Sequence, residues 1–131
     1  MPALDTNVLV RYLVADDKKQ FQSAKILIES AAEEAPLFLS LSVVVELECV
    51  LRSLYSFDKA TLITTFNQLL GTRELVFQDE DVVEVAMSLY TENNTDFADC
   101  LHIATAHVYD YAPMNTFDRK AARVSGAELL A

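Results

Sequence analysis

The sequence is poor in the residues that interrupt regular secondary structure. Its 131 residues include two glycines, three prolines and no tryptophan. Two glycines argue against a glycine-rich phosphate loop, and so few turn-forming residues argue against an all-β fold. Hydrophobic residues make up 52% of the chain, which is enough to build a core at this length. We expect a single domain over residues 1–131 that is rich in helices.

Cysteines and apolar runs are scarce as well. Cys49 and Cys100 form no CxxC pair, and their apolar surroundings predict two reduced, packed thiols, neither in a disulfide nor at a zinc ion. His102 and His107 are five residues apart, which is not the spacing of a zinc-binding helix. The N-terminus has no signal-peptide pattern, and no run approaches the roughly 18 apolar residues of a membrane span. We therefore expect a cytoplasmic protein.

Positive charge is the third deficit. Ten Lys and Arg face twenty Asp and Glu, which gives a formal net charge of −10. Proteins that coat nucleic acid by charge alone need a basic surface, so this class is disfavoured. An enzyme that acts on phosphodiesters through metal ions remains compatible with the composition. The acidic surface also favours a basic partner.

Helical and strand patterns alternate along the chain. Apolar residues at helical spacing predict helices after Asp5, from Asp17 to about Ala32, and from Asp58 to Gly71. Further helices are predicted over 81–91, after Asn94 and, as a short turn, after Asp118.

The central helix is expected to follow Ser42, which would serve as its N-cap. Its predicted apolar face consists of Val43, Leu47, Val50, Leu51 and Leu54.

Short apolar runs between the helices predict strands. They lead up to Asp5 and recur in "LFLS", "ELVF", "MNT" and "AELLA". Strands that alternate with helices indicate an α/β sandwich with a mainly parallel sheet. In such sheets, sites lie beyond the carboxyl ends of the strands, where Asp5 and Asp118 would lie.

Four acids occupy positions that local preference does not explain. Asp5 ends an apolar strand, Glu46 and Asp99 interrupt apolar helical segments, and Asp118 follows "MNTF". Each has a structural alternative: Asp5, Asp118 and also Asp96 suit helix N-caps, and Glu46 suits a solvent-facing position. Taken together, carboxylates at one sheet edge would repel one another and need a compensating cation. The pattern therefore indicates a site for Mg²⁺ or Mn²⁺, which prefer oxygen ligands and support phosphodiester hydrolysis.

The remaining cations near these acids are candidates for holding the phosphates of a nucleic-acid substrate. An acidic protein still needs local positive charge where a nucleic-acid backbone passes. The alternative is a set of solvated helix ends. The residues are Arg11, Arg52, Arg119 and Lys120.

Four segments carry a resemblance to a known family. "LDTNVLVRYLV", "VELECVLRS", "DFADCLHIATA" and "NTFDRKAARVSGAELL" resemble, in this order, the successive motifs of PIN-domain ribonucleases, and in particular of VapC-type toxins of toxin–antitoxin pairs. The resemblance implies a three-layer α/β/α sandwich with a central, mainly parallel sheet. It also implies an endoribonuclease that depends on Mg²⁺ or Mn²⁺.

Carried over segment by segment, the resemblance assigns roles to individual residues. The catalytic and metal-binding acids would be Asp5, Glu46, Asp99 and Asp118. Supporting positions would be Asp96, Thr6, Asn7 and Thr116.

The resemblance further implies a homodimer and a VapB-type antitoxin as the partner, with RNA as the substrate. Two alternatives remain open. One is a PIN-domain nuclease that processes RNA without an antitoxin, and the other is a non-catalytic acidic domain that binds a metal ion or a basic peptide.

Overall fold

The structure is a computed structural model that describes residues 2–31 and 35–131. Ala32, the predicted end of the second helix, lies outside the described residues. Contacts between Cα atoms divide the chain into two compact units, Met1–Gln78 and Asp79–Ala131. They are called unit 1 and unit 2 below. The single domain over residues 1–131 stays a prediction.

Unit 1 begins with the residues that were predicted to form a strand leading up to Asp5. The structure reduces it to one parallel bridge between Ala3 and Phe38, with the Leu4 N–H donating to the Phe38 carbonyl at 2.9 Å. Pairing stops there because the first helix begins at Thr6. The elements that follow are α1 (Thr6–Val14), α2 (Lys18–Glu29), β1 (Leu37–Leu39), α3 (Leu41–Leu54), α4 (Lys59–Leu70) and β2 (Leu75–Phe77).

Aspartates begin three of these helices, as the sequence predicted. Asp5, Asp17 and Asp58 are the N-caps of α1, α2 and α4. The prediction for α3 was wrong by two residues, because Ser40, and not Ser42, is its cap. Ser40 has the extended backbone that an N-cap needs, and its Oγ accepts from the Val43 N–H at 3.2 Å.

The buried face of α3 also differs from the prediction. Val44 and Glu48 are buried beside Leu47 and Leu51, whereas Leu54 is 74% exposed. Glu48 can turn inward because the Nε of Arg52 donates to its Oε2 at 2.8 Å, and a buried carboxylate needs such a partner.

The two thiols differ in their environments. Both cysteines are free, as predicted; Cys100 is buried. Cys49 was expected to be packed and is exposed instead. Cys49 comes directly after Glu48 on α3. It lies outside the buried face of this helix, to which Glu48 belongs.

Unit 2 contains α5 (Glu80–Glu92), α6 (Phe97–Val108), β3 (Met114–Thr116), α7 (Arg119–Ala122) and β4 (Ala127–Leu129). Just before β4, the chain approaches α6 closely at Gly126, where a Cβ atom would lie 3.2 Å from Cγ2 of Ile103. Gly126 also has a φ of +97°, which L side chains rarely adopt. Both facts require glycine there.

All of the strand pairs are parallel in the part of the chain that the structure describes. In unit 1, β1 pairs with β2, with Leu37 opposite Leu75. In unit 2, β3 pairs with β4, with Met114 opposite Ala127. Parallel strands joined through helices confirm the predicted α/β class. Across residues 2–31 and 35–131, none of the helices combines the length and the apolar character that crossing a membrane requires.

Candidate active site

The acids of unit 2 stand at the starts of two helices. Asp96 is the N-cap residue of α6, but its side chain makes no capping hydrogen bond. Asp99 lies in the first turn of the same helix, and Asp118 is the N-cap of α7. The sequence predicted all three positions.

Burial and like charge act together on Asp99. Burial raises the pKa of its carboxyl group first, and the negative charges of Asp118 and Asp96 raise this pKa further, while His102 lowers it. Two carboxylates affect each other in this way when they are close together. The structure therefore brings Asp96, Asp99 and Asp118 into one electrostatic cluster.

Asp118 is held in place from both sides. Its Oδ1 accepts from the backbone N–H groups of Lys120 at 2.8 Å and Ala121 at 3.0 Å. Its own N–H donates to Oγ1 of Thr116 at 3.0 Å. Both bonds to the carboxylate end on the same oxygen, Oδ1. Thr116, predicted as a supporting residue, contacts Asp118 directly.

An open cavity of about 520 Å³ lies beside these acids. Two of its residues, Thr95 and Phe117, were not predicted from the sequence, and Phe117 is 75% exposed. An aromatic residue directly before Asp118 was the signal available in the sequence. The cavity is lined by Thr95, Asp96, Phe117, Asp118, Arg119 and Lys120.

The candidate acids of unit 1 are exposed, as are Asp96 and Asp118 of unit 2. Asp5 is exposed, and its Oδ1 accepts from the Thr6 N–H at 2.7 Å. Glu46 is exposed on α3. The Thr6 side chain is buried, and its Oγ1 has no hydrogen-bond partner in the described part of the chain. Buried hydroxyls normally have a partner, so this orphaned oxygen next to Asp5 is a place where a further polar group fits.

The cations predicted to hold RNA fall into two groups. Arg11 donates from Nε to Gln20 at 2.6 Å and from Nη1 to Asp16 at 3.3 Å, and it lines a cavity of about 560 Å³ with Asn7. Arg52 bonds to the buried Glu48.

Arg119 and Lys120 form the second group. Within residues 2–31 and 35–131, neither of them forms an ion pair. Both are exposed at the cavity beside Asp118.

The donor set of unit 2 suits a hard divalent ion. Asp99 and Asp118 offer carboxylate oxygens whose mutual repulsion a cation would relieve. Magnesium is commonly held by one or two carboxylates and several waters. Within each unit taken alone, the described residues gather no three His, Cys, Asp or Glu side chains that could hold a metal ion. A metal site in unit 2 would therefore consist of two carboxylates and water ligands, as is common for Mg²⁺. It would not be a cage made of protein ligands alone.

Comparison with known proteins identifies one family. The sequence profile described as "PIN domain" matches residues 3–127. No curated protein matches this sequence. Among solved structures, the chain is similar to a chain of a toxin–antitoxin complex from Klebsiella pneumoniae, with 18% sequence identity and a TM-score of 0.36 over 97% of this chain and 95% of that chain. So low a TM-score adds nothing to the profile match, which carries the assignment by itself.

Proposed function

The chain belongs to the PIN domain family, which is a family of nucleases, and we propose that it is a metal-dependent endoribonuclease and the toxin of a VapBC-type pair. The observation that carries this proposal is the cluster of Asp96, Asp99 and Asp118 in unit 2. Carboxylates that repel one another cost stability, and a bound divalent cation would offset that cost.

We assign the catalytic acids as the sequence predicted them. Asp5, Glu46, Asp99 and Asp118 would hold Mg²⁺ or Mn²⁺, directly or through waters. When bound, such an ion lowers the pKa of a water and neutralises charge on the phosphate. The protein's own part is to orient the acids.

Other residues of the chain support this arrangement. Thr116 and the start of α7 hold Asp118 through hydrogen bonds to its backbone N–H and to its Oδ1. Asp96 strengthens the negative field at α6. Thr6 and Asn7, next to Asp5 on α1, would add polar contacts to water or phosphate.

A basic partner follows from the same charge distribution. In the absence of metal, a guanidinium or ammonium group inserted among the acids would pair with them and exclude the ion. A VapB-type antitoxin with such a residue would thereby silence the enzyme. We also propose that the toxin is a homodimer in the cytoplasm, a state that light scattering of the purified chain measures directly.

The central experiment is an RNA cleavage assay with the purified chain. Total cellular RNA is incubated with Mg²⁺, with Mn²⁺ or with EDTA, and the new 5′ ends are mapped by sequencing. We expect discrete ends that require the divalent ion. Absence of cleavage with both ions, under conditions where the chain is folded, would contradict the endoribonuclease proposal and favour a non-catalytic acidic domain.

A second experiment separates a toxin from an RNA-processing nuclease. The chain is induced in cells with and without the product of the neighbouring reading frame, and growth is followed. We expect growth arrest that the neighbouring product relieves. Cleavage without growth arrest, or arrest that this product does not relieve, would identify a nuclease that works without an antitoxin.

A further inference from the structure

Phe117 is an exposed aromatic residue within the candidate active site. It follows β3 and directly precedes Asp118, and its side chain is 75% exposed. The ring lines the cavity that also contains Asp96 and Asp118. An aromatic ring contributes to stability when it is buried, so this exposed ring adds little to the fold and is available to a ligand.

The same cavity contains two unengaged cations. Arg119 and Lys120 line it beside Phe117, and neither is in an ion pair in the described ranges 2–31 and 35–131. An aromatic ring next to free cations is the combination that binds single-stranded nucleic acids, because bases stack on the ring while the cations follow the backbone.

We propose that Phe117 is a stacking platform for a nucleobase of the RNA substrate, with Arg119 and Lys120 holding the adjoining phosphates. This inference rests on the proposed endoribonuclease function and assigns it a substrate-binding residue. The stacked nucleotide would lie next to the phosphate that Asp118 faces. Because a base must be unstacked from its neighbours to reach the ring, Phe117 would favour cleavage beside an unpaired nucleotide.

Charge distinguishes RNA from a protein partner at this surface. An apolar helix would cover Phe117, but it would leave Arg119 and Lys120 without counter-charges unless it carried acids. Such acids would then lie against Asp96 and Asp118. An RNA strand supplies apolar base faces for the ring and phosphates for the cations, and the divalent ion proposed at Asp99 and Asp118 would offset the repulsion between those phosphates and the acids.

The chain contains no tryptophan, which allows a direct test. Phe117→Trp places a single indole at this position, and stacking on a base quenches indole fluorescence. The variant is titrated with a single-stranded oligoribonucleotide of mixed sequence in Ca²⁺. Tyr111→Trp is the matched control, because Tyr111 is 81% exposed in the same unit and does not line the cavity. We expect saturable quenching with Phe117→Trp and none with Tyr111→Trp.

Binding and cleavage provide the second measurement. Phe117→Leu keeps the apolar character and removes the π-system, whereas Phe117→Tyr keeps both. We expect Phe117→Leu to weaken oligoribonucleotide binding by at least about fivefold, the lower end for loss of one stacked base. Phe117→Tyr is expected to bind within about twofold of the wild type, since its ring stacks equally well.

The outcomes separate the inference from the proposed function. If the wild type cleaves RNA but Phe117→Leu binds and cleaves as well as the wild type, the stacking inference is overturned and the enzyme proposal stands. Equal quenching in both tryptophan variants also overturns it. If the wild type neither binds nor cleaves RNA, both proposals fail. If Phe117→Leu weakens binding of the neighbouring frame's product but not of RNA, the ring is a partner contact.

Discussion

The two units carry the same number of acids but differ in how they neutralise them. Residues 1–78 contain ten Asp and Glu with seven Lys and Arg, whereas residues 79–131 contain ten with three. In unit 1, Arg11 and Arg52 bond to Asp16 and Glu48. In unit 2, the acids at the starts of α6 and α7 act on one another instead. An excess of unneutralised carboxylates costs stability, so its concentration in unit 2 indicates a binding function there.

The largest expected effect comes from removing one charge of the unit 2 cluster. We predict that Asp99→Asn lowers RNA cleavage by more than about a hundredfold, because charge stabilisation by a metal ion is worth several kcal/mol. The matched control is Asp110→Asn, which removes an exposed charge from the same unit. Asparagine also tolerates the positive φ of 62° at that residue. Cleavage by Asp99→Asn at the rate of the control would remove Asp99 from the site.

The same variant is expected to fold more stably without metal. Because the pKa of Asp99 is raised, the folded chain holds the carboxyl proton of Asp99 more tightly than the unfolded chain does. Metal-free stability therefore falls as the pH rises from about 4, the ordinary aspartate value, through the raised pKa. Asp99→Asn removes that loss, and we expect a gain of about 0.5–1 kcal/mol at neutral pH in urea unfolding. A lower stability would indicate a structural carboxylate.

The second prediction compares the cations of the two units. Replacing Arg119 and Lys120 with glutamine removes two positive charges. We expect the slope of log K against log salt concentration for RNA binding to become less steep by about 1.4, at about 0.7 per contact with a single strand. Arg11→Gln with Arg52→Gln is the matched pair from unit 1. Because both arginines already bond to carboxylates, we expect a smaller change. Equal changes in this slope for the two pairs would show that Arg11 and Arg52 bind RNA in spite of their bonds to Asp16 and Glu48.

Local signals explain what the sequence could predict of this fold. Aspartates before apolar periodic segments marked the starts of α1, α2, α4, α6 and α7, because capping acts within a few residues. Membership of the PIN family confirms the predicted α/β/α sandwich class. The positions of the candidate acids were readable for the same reason as the helix starts, since each interrupts or ends an apolar run.

The errors arose where contacts beyond the immediate neighbours in the sequence determine the structure. The predicted apolar face of α3 did not include Glu48, because burial of this carboxylate depends on its bond to Arg52. Phe117 was missed because its exposure depends on the turn between β3 and α7, and an isolated aromatic residue usually indicates core. The strand before Asp5 shrank to a bridge because helix α1 begins at once.

The third prediction concerns the neutralised pair of unit 1. The Glu48 side chain is 6% exposed and its partner Arg52 is 53% exposed. Arg52→Gln is expected to lower the free energy of unfolding by about 1–2 kcal/mol, because it leaves a buried carboxylate without its charged donor. In the double variant with Glu48→Gln, much of this loss should return. Unchanged stability in Arg52→Gln, measured by urea unfolding, would contradict a structural role for the pair.

The smallest expected effect tests Asp79, an acid of unit 2 that is bonded to a neutral side-chain donor. The Tyr109 hydroxyl donates to Oδ1 of Asp79 at 2.7 Å, and this bond raises the pKa of the tyrosine. The folded chain therefore holds the phenol proton more tightly than the unfolded chain, so the bond stabilises the fold below about pH 10 and this contribution is lost above it. We expect the titration of one tyrosine, followed by ultraviolet difference spectra, to move to lower pH in Asp79→Asn and to disappear in Tyr109→Phe. Asparagine suits the positive φ of 48° at Asp79, so a change in Asp79→Asn reports the lost charge and not a strained backbone. An unchanged tyrosine titration in Asp79→Asn would mean that the hydrogen bond between Tyr109 and Asp79 does not persist in solution.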